Sequence, residues 1–286
     1  MTGIIVVNKP SGITSFDVIR NLRKILKEKK MGHTGTLDPM ATGVLIICIG
    51  KATRLAQSIE NQYKKYVAEF QLGYQTDTYD KMGKIINISD IKSAPKEELE
   101  KVLKKFSGKI KQIPPMYSAL KKDGKKLYEL ARQGIEIERE AREINIKSIE
   151  VVDIRENTIK IKCDVSKGTY IRTLVNDIGL SLGSYGTLTS LERISVGDIT
   201  INNSYTLDEI EAFSSGNNYE FLKSVEEIFQ YERYDILNDK DFLLFKNGNT
   251  LVTTNKENNL YKIYFKNEFV GLGSIENNRL KGYKYF

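Results

Sequence analysis

The apolar positions of this chain recur with two periods, and these periods divide it into strands and helices. Residues 3–8 form a short β-branched run before a Lys-Pro-Ser-Gly turn, which is typical of a buried strand. After Thr14, apolar residues recur at helical spacing opposite arginine and lysine, which predicts a helix that ends in the basic residues 27–30. Residues 66–72 and 159–165 alternate with period two, so both segments are predicted strands.

Further strand and helix patterns fill the chain up to Phe229. An apolar run predicts a strand at 44–49, and helical spacing predicts helices at 52–60, 95–106, 171–178 and 207–228. Residues 75–83 are predicted as polar loop and residues 109–134 as an irregular basic segment. Because helices and strands are interspersed, the pattern favours an α+β fold. Its central sheet is expected to be mixed, largely antiparallel and flanked by helices.

The amino-acid composition of the sequence changes after Phe229. Asparagine and lysine become frequent, and two short predicted strands, 261–265 and 269–272, are separated by a turn. We therefore predict two domains, a larger one at residues 1–230 and a small β-rich one at residues 231–286.

Charge narrows the class of partner. The chain has 44 Lys and Arg residues against 37 Asp and Glu, a formal net charge of +7. This surplus suits nucleic acid or a membrane surface without deciding between them. No apolar run approaches the roughly 20 residues of a membrane helix, and the N-terminus does not resemble a signal peptide. We therefore expect a soluble cytoplasmic protein with no membrane partner.

Histidine and cysteine are too scarce for most metal sites. The chain has one histidine, His33, and two cysteines. Cys48 and Cys163 lie in apolar strand-like contexts, where cysteine is usually a small buried hydrophobic residue. Neither a zinc site nor a Ser-His-Asp triad is expected, and no metal ligand is predicted.

Asp38 is the most conspicuous carboxylate. It lies between Leu37 and Pro39, in a loop at residues 32–43 that is rich in glycine. Proline disfavours the helical conformation of the residue before it, and the glycines allow a ligand to approach the backbone closely. An Asp-Pro pair is also a common turn, in which the aspartate binds nearby backbone N–H groups. Taken alone, Asp38 leaves a structural and a catalytic role open.

The full string Gly32-His33-Thr34-Gly35-Thr36-Leu37-Asp38-Pro39-Met40-Ala41-Thr42-Gly43-Val44-Leu45 closely resembles the catalytic motif of the bacterial TruB-type tRNA pseudouridine-55 synthases. Other strings resemble further motifs of that family in the same order. They are Lys9-Pro10-Ser11-Gly12, Lys65-Tyr66-Val67, residues 72–80, 115–121 and 127–134, and Ser166-Lys167-Gly168-Thr169-Tyr170-Ile171-Arg172-Thr173. Gly271-Leu272-Gly273 and Arg279-Leu280 resemble the end of a PUA domain, so the resemblance covers nearly the whole chain.

The resemblance implies an activity and a fold. The expected reaction is isomerisation of uridine-55 in the T loop of tRNA to pseudouridine, with Asp38 essential and the uridine flipped out of the RNA. The N1–C1′ bond breaks, the base rotates, and a C5–C1′ bond forms without net redox change, so no cofactor is expected. Asp38 acts either as a nucleophile or as a base toward the ribose. The implied terminal domain is a PUA-like β-barrel.

The resemblance also assigns roles to single residues. Arg172 becomes the charge partner of Asp38, and Tyr66 becomes the ring that stacks on the target base. His33 is expected to fill the gap that the flipped uridine leaves. Taken alone, Arg172 would suggest a surface ion pair and Tyr66 a core residue. Further contacts with RNA fall to Lys9, Lys167, Tyr170 and Leu191.

The expected partner is the T arm of tRNA, held partly by an RNA-clasping insertion at about residues 109–145. Phosphate contacts are expected from residues 27–30 and 121–126 and from the basic residues after 278. The insertion favours a stand-alone monomeric enzyme that needs no guide RNA. A non-catalytic tRNA-folding chaperone and a synthase acting on another RNA remain alternatives. Two departures from the family pattern are Glu192, where relatives often have a basic residue, and the short terminal domain.

Overall fold

The computed structural model describes residues 1–122, 124–254 and 256–285, except for the side chain of Tyr283. Residue 123 of the predicted phosphate-binding segment 121–126, and residues 255 and 286 of the predicted terminal domain, lie outside the described residues. No helix among the described residues is long and apolar enough to cross a membrane.

The strands follow one another along the whole described chain. They are β1 Gly3–Lys9, β2 Met31–His33, β3 Thr42–Ile49, β4 Lys64–Leu72, β5 Tyr74–Thr76, β6 Ile85–Ile88, β7 Gly108–Gln112, β8 Lys121–Lys122, β9 Lys125–Lys126, β10 Arg142–Arg155, β11 Thr158–Val165, β12 Gly186–Val196, β13 Ile199–Thr200, β14 Leu222–Lys223, β15 Glu232–Ile236, β16 Leu251–Val252, β17 Asn259–Phe265, β18 Glu268–Glu276 and β19 Arg279–Tyr285.

Helices lie between the strands. They are α1 Ser15–Leu26, α2 Ala56–Glu60, α3 Lys96–Phe106, α4 Leu127–Ala131, α5 Ile171–Ser181, α6 Leu207–Ser215, α7 Val225–Ile228 and α8 Asp239–Lys246, with short 3-10 helices at Gly50–Leu55 and Ile201–Asn203. The predicted first helix is confirmed as α1. It begins at a capping box formed by Thr14 and Asp17, and Lys27, with φ of 50°, ends it in the left-handed conformation.

A large mixed sheet forms the centre of the molecule. Its strands run in the order β14-β1-β3-β12-β4-β11-β10-β7, with β13 added to β12 and β2 added to β3. Among the described strands of this sheet, only β12 and β3 pair in parallel. Helices α3 and α5 pack against it. The predicted α+β fold with a largely antiparallel sheet is therefore confirmed.

Both faces of the first strands are buried, which explains their unbroken apolar sequences. On β1, Ile5 and Val7 enter one hydrophobic cluster, whereas Ile4 and Val6 enter a second cluster on the other face. A strand covered on both faces has no polar side to show in its sequence. By contrast β4 alternates buried and partly exposed residues, as its period-two pattern predicts.

A second sheet follows the first along the chain. Its five strands run in the order β15-β17-β18-β19-β16 and enclose their own hydrophobic cluster. The sheet is consistent with the predicted PUA-like barrel. Leu272 on β18 also packs into a hydrophobic cluster of the large sheet, so the two sheets contact each other through this side chain. The division into domains at residue 230 stays a prediction.

Several local predictions were wrong. The segment 207–228 is not one helix: α6 ends at Ser215, and β14 and α7 follow. The predicted helix 52–60 is α-helical only at Ala56–Glu60, because residues 52–55 belong to the 3-10 helix Gly50–Leu55. In the predicted loop 75–83, residues 75 and 76 belong to β5, whereas 77–83 are loop as predicted and join β5 to its partner β6. The predicted irregular segment contains most of β7 together with β8, β9 and α4. These elements are short and held by neighbouring segments, so they carry no periodic signal of their own.

Candidate active site

The loop between β2 and β3 carries Asp38 and is fastened to the start of α1. The hydroxyl of Ser15 accepts from the amide of Leu37 at 2.9 Å and contacts its carbonyl at 3.2 Å. The amide of Gly12 donates to the carbonyl of Pro39 at 2.8 Å. Asp38 is thus held in place by its neighbours on both sides.

Arg172 forms a two-bond ion pair with Asp38. Its Nε donates to Oδ2 at 2.8 Å, and its Nη2 donates to Oδ1 at 3.1 Å. The arginine side chain is 5% exposed, whereas the carboxylate is 33% exposed. Such a fork-to-carboxylate pair fixes the orientation of the carboxylate while leaving one side open to a ligand. The predicted partnership of these two residues is therefore present in the geometry.

The same guanidinium contacts two further segments. Nη1 donates to the carbonyl of Thr78 at 3.0 Å, and Nη2 donates to the carbonyl of Tyr117 at 2.8 Å. The carboxylate of Asp80 lies 3.6 Å from Nε. The hairpin β5–β6 and the insertion after β7 therefore meet at one side chain of α5.

Asp80 is a candidate that sequence reasoning quoted within a motif but did not single out. It is 6% exposed, and burial raises the pKa of its carboxyl, an effect opposed by the Thr78 hydroxyl and by Arg172. Arg172 therefore stands between two carboxylates. The sequence signal was the string Thr-Asp-Thr-Tyr-Asp, in which the spacing alone does not say which acid faces the arginine.

Tyr66 occupies the centre of the large sheet. On β4 it lies opposite Cys163 of β11 and Arg193 of β12, and it is 8% exposed. Its hydroxyl is 3.5 Å from Nη1 of Arg193. The residue belongs to the same hydrophobic cluster as Leu37 and Met40 of the loop that carries Asp38.

Lys9 is fully buried under the same loop. Its Nζ donates to the carbonyls of Pro10 at 2.7 Å, Pro39 at 3.2 Å and Ala41 at 2.7 Å. Burial lowers the pKa of its ammonium group to about 8, against the opposing effect of Asp38. Because all three N–H bonds of the Lys9 ammonium are used and the side chain is buried, it supports the loop and does not face a ligand in this conformation. The predicted contact of Lys9 with RNA stays a prediction.

The other predicted RNA contacts lie at different depths. His33 ends β2, and its Nδ1 accepts from the amide of Gly35 at 3.4 Å; burial lowers the pKa of its imidazole. Tyr170 is the N-cap of α5, and Leu191 is 5% exposed in β12. Lys167 is exposed, and its Nζ donates to Oδ1 of Asn61 at 2.8 Å. None of these RNA-binding roles is tested by the geometry.

No group of three or more His, Cys, Asp or Glu residues in the described part of the chain is arranged to hold a metal ion. The residues brought together here are acidic and basic side chains, an aromatic ring and backbone groups. Such a set can hold a polar substrate and offer it one carboxylate.

Comparison with known families defines the class of protein. A model described as TruB family pseudouridylate synthase (N terminal domain) matches residues 23–171, and a model described as tRNA pseudouridylate synthase B C-terminal domain matches residues 172–229. Both describe pseudouridylate synthases, which are isomerases. The chain belongs to the TruB family of these enzymes.

Individual relatives agree along the full length. The chain is 57% identical to a tRNA pseudouridine synthase B from Fusobacterium nucleatum subsp. nucleatum, with 100% of each chain covered. It is 46% identical to a protein of the same name from Clostridium tetani, over 96% of this chain and 95% of that one. The predicted family resemblance is confirmed.

Solved structures share the fold. An H/ACA RNP bound to a substrate RNA containing 2′-deoxyuridine matches with a TM-score of 0.71 and 24% identity, over 99% of this chain and 84% of that one. A Cbf5-Nop10-Gar1 complex matches with a TM-score of 0.71 and 25% identity, over 99% and 83%. The same arrangement of sheets is thus found in other proteins of known structure.

Proposed function

We propose that this chain converts uridine-55 in the T loop of tRNA to pseudouridine, with Asp38 as the essential residue. The observation that carries the proposal is the two-bond pair between Asp38 and the buried Arg172 in a chain of the TruB family. Relatives named tRNA pseudouridine synthase B cover the whole chain and support tRNA as the substrate.

The chemistry needs an ionised carboxylate next to the ribose. Asp38 either attacks the sugar or removes a proton from it, and the N1–C1′ bond breaks in both cases. The base then rotates, C5 bonds to C1′, the C5 proton is lost, and N1 gains a proton. In the first route the bond between Asp38 and the sugar breaks as the C5–C1′ bond forms, and in the second the ribose regains its proton, so atoms and electrons balance without a cofactor. Arg172 keeps the carboxylate oriented through its two hydrogen bonds.

A uridine in a folded loop must leave its stack to reach Asp38. Unstacking costs a few kcal/mol, which contacts elsewhere on the RNA must offset. We assign stacking on the base to Tyr66 and filling of the vacated space to His33. Lys167, Tyr170 and Leu191 contribute further contacts around the nucleotide, as does Lys9 if the loop moves on binding. The insertion at 109–145 covers the site, because Tyr117 already reaches Arg172.

The proposal extends to the oligomeric state, the RNA partner, the cellular location and the domains of the enzyme. The enzyme acts as a monomer on the T arm without a guide RNA, in the cytoplasm where tRNA is processed. Residues 1–230 form the catalytic domain, and residues 231–286 form a PUA-like domain that adds RNA contacts. The net charge of +7 supports an RNA partner.

The test is release of tritium from tRNA labelled at uridine C5. Wild type should release tritium, and Asp38→Asn, which keeps the size of the side chain, should lower the rate at least a thousandfold. Asp208→Asn, an exposed acid in the first turn of α6, is the matched control and should match wild type. A wild-type chain that binds tRNA but releases no tritium would instead be the tRNA-folding chaperone. Release that stops when uridine-55 alone is replaced would fix the position.

A further inference from the structure

Arg193 is a buried cation that donates hydrogen bonds to the backbone of the loop that carries Asp38. It lies on β12 and is 2% exposed. Its Nε donates to the carbonyl of Val44 at 2.7 Å, and its Nη2 donates to the carbonyl of Gly35 at 3.1 Å. Its Nη1 lies 3.5 Å from both the carbonyl of Thr36 and the hydroxyl of Tyr66.

No carboxylate of the described residues lies within ion-pair distance of this guanidinium. Its neighbours include the ammonium groups of Lys9 and Lys64, whose pKa is lowered mainly by burial and further by the charge of Arg193. Burying a cation without an acid is costly, and an apolar side chain of similar volume often stabilises such a position better. Stability alone therefore does not account for an arginine here. What the guanidinium supplies is several directed hydrogen bonds from one rigid group.

Those bonds reach both ends of the loop that holds Asp38. Gly35 and Thr36 follow β2, and Val44 lies near the start of β3. The backbone of Arg193 also pairs with Gly43 across the parallel contact of β12 and β3. Gly43 has φ of +95°, and a Cβ there would lie 2.3 Å from the carbonyl oxygen of Arg193. One residue thus fixes the loop where it begins and where it ends.

We propose that Arg193 is a positioning residue that sets the Asp38 loop and the hydroxyl of Tyr66 in the geometry needed for the reaction. The inference rests on the proposed function, and it assigns Arg193 no contact with the RNA. Catalytic groups must be held within fractions of an ångström, and small displacements cost large factors in rate. Loss of this support should therefore slow the chemical step while leaving the RNA-binding surface intact.

A spectroscopic probe lies beside the same contact. The peptide of Gly35 donates its N–H to Nδ1 of His33 and accepts from Arg193 at its carbonyl. The chain has a single histidine, so its imidazole signals in a proton NMR spectrum need no assignment by mutation. The charged groups that face His33 are Arg193 and Glu60. Movement of the Gly35 peptide should therefore shift these signals whether or not RNA is present.

The experiment compares Arg193→Lys and Arg193→Met with Lys64→Met. Lys64 is a matched control, because it is a buried cation on β4 that binds the carbonyls of Glu60 and Gln62 and does not touch the loop. We expect Arg193→Lys to lower the single-turnover rate of tritium release at least tenfold, with the Kd for tRNA within twofold of wild type. Lys64→Met should stay within twofold in both. The His33 signals should move in the Arg193 variants and not in Lys64→Met.

Two results would overturn the proposal. One is an Arg193→Lys rate within twofold of wild type, and the other is a loss of tRNA affinity that accounts for the whole loss of rate. If Arg193→Met does not fold, Arg193→Lys, which keeps the charge, still decides the outcome. If wild type itself releases no tritium, the proposed function fails. Unmoved His33 signals would then separately refute the positioning of the loop by Arg193.

Discussion

Gln112 makes a two-way hydrogen bond with the backbone of Tyr170. Its Oε1 accepts from the Tyr170 amide at 2.8 Å, and its Nε2 donates to the Tyr170 carbonyl at 3.1 Å. Tyr170 is the N-cap of α5, and its own side chain makes no capping bond. The last residue of β7 therefore completes the helix start that presents Arg172. Hydrogen bonds thus connect the insertion to the start of α5 and, through Arg172, to Asp38.

This contact predicts a cost when Gln112 becomes leucine. Gln112→Leu should lower the free energy of unfolding by about 1–3 kcal/mol, because the half-buried Tyr170 amide loses its partner while the Tyr170 carbonyl keeps only the Leu174 amide. Urea unfolding followed by circular dichroism measures the change. Lys111→Leu, at the exposed neighbouring position, should change stability by less than about 0.5 kcal/mol. Equal effects of the two variants would show that the Tyr170 backbone does not depend on Gln112.

Asp177, one turn after Thr173 on α5, predicts a pH dependence of stability. Burial raises the pKa of its carboxyl to about 6. Because the folded-state pKa lies above the unfolded value, this group favours the folded protein below about pH 4, and its contribution is lost as the pH rises through 6. Asp177→Asn should therefore raise Tm relative to wild type at pH 8 and leave it unchanged at pH 4. Asp208→Asn should show no such difference, and a flat Asp177→Asn comparison would contradict the burial of the charge.

The periodic elements were predictable because one face of each is buried. α1 and β4 show this plainly, since their apolar residues repeat at the spacing of a helix and of a strand. By contrast β10 and β12 were not predicted. Register shifts interrupt β10 at residues 146–148 and 151–153, and β12 at 188–190 and 193–195. Each bulge moves the following side chains to the other face, so the period-two pattern is lost.

The sequence motifs predicted individual residues of the site but not the contacts between residues that are distant in sequence. The pairing of Asp38 with Arg172 joins residues 134 positions apart, and no local pattern contains it. Asp80 meets the arginine because the hairpin turns at Tyr79, which has φ of 60°. Arg193 carried a usable signal, since it follows Leu191 at period-two spacing before the second bulge of β12, and both side chains are buried. A charged residue in a buried period-two position marks an unusual environment.

A variant of Lys9 can show whether this residue supports the Asp38 loop or contacts the RNA. Lys9→Met removes the ammonium donor from the carbonyls of Pro10, Pro39 and Ala41. The Pro39 carbonyl keeps the Gly12 amide as a donor, whereas the other two hydrogen bonds are lost. We expect a loss of about 1–3 kcal/mol in unfolding free energy and a lower single-turnover rate, with little change in tRNA affinity. Filter binding at several salt concentrations measures affinity. A fall in affinity with a flatter salt dependence would instead support the predicted contact with RNA.

Lys167 offers the opposite expectation, because its ammonium is exposed beside Asn61. Lys167→Ala should weaken tRNA binding and flatten the plot of log affinity against log salt by about 0.7–0.9, the slope expected for one phosphate contact. The rate at saturating tRNA should stay within twofold, since Lys167 makes no bond to Asp38 or Arg172 in the described structure. Lys96→Ala, an exposed lysine on α3 that pairs with Glu100, is the control and should leave the slope unchanged. If both variants change the slope equally, Lys167 contributes only to the general positive charge.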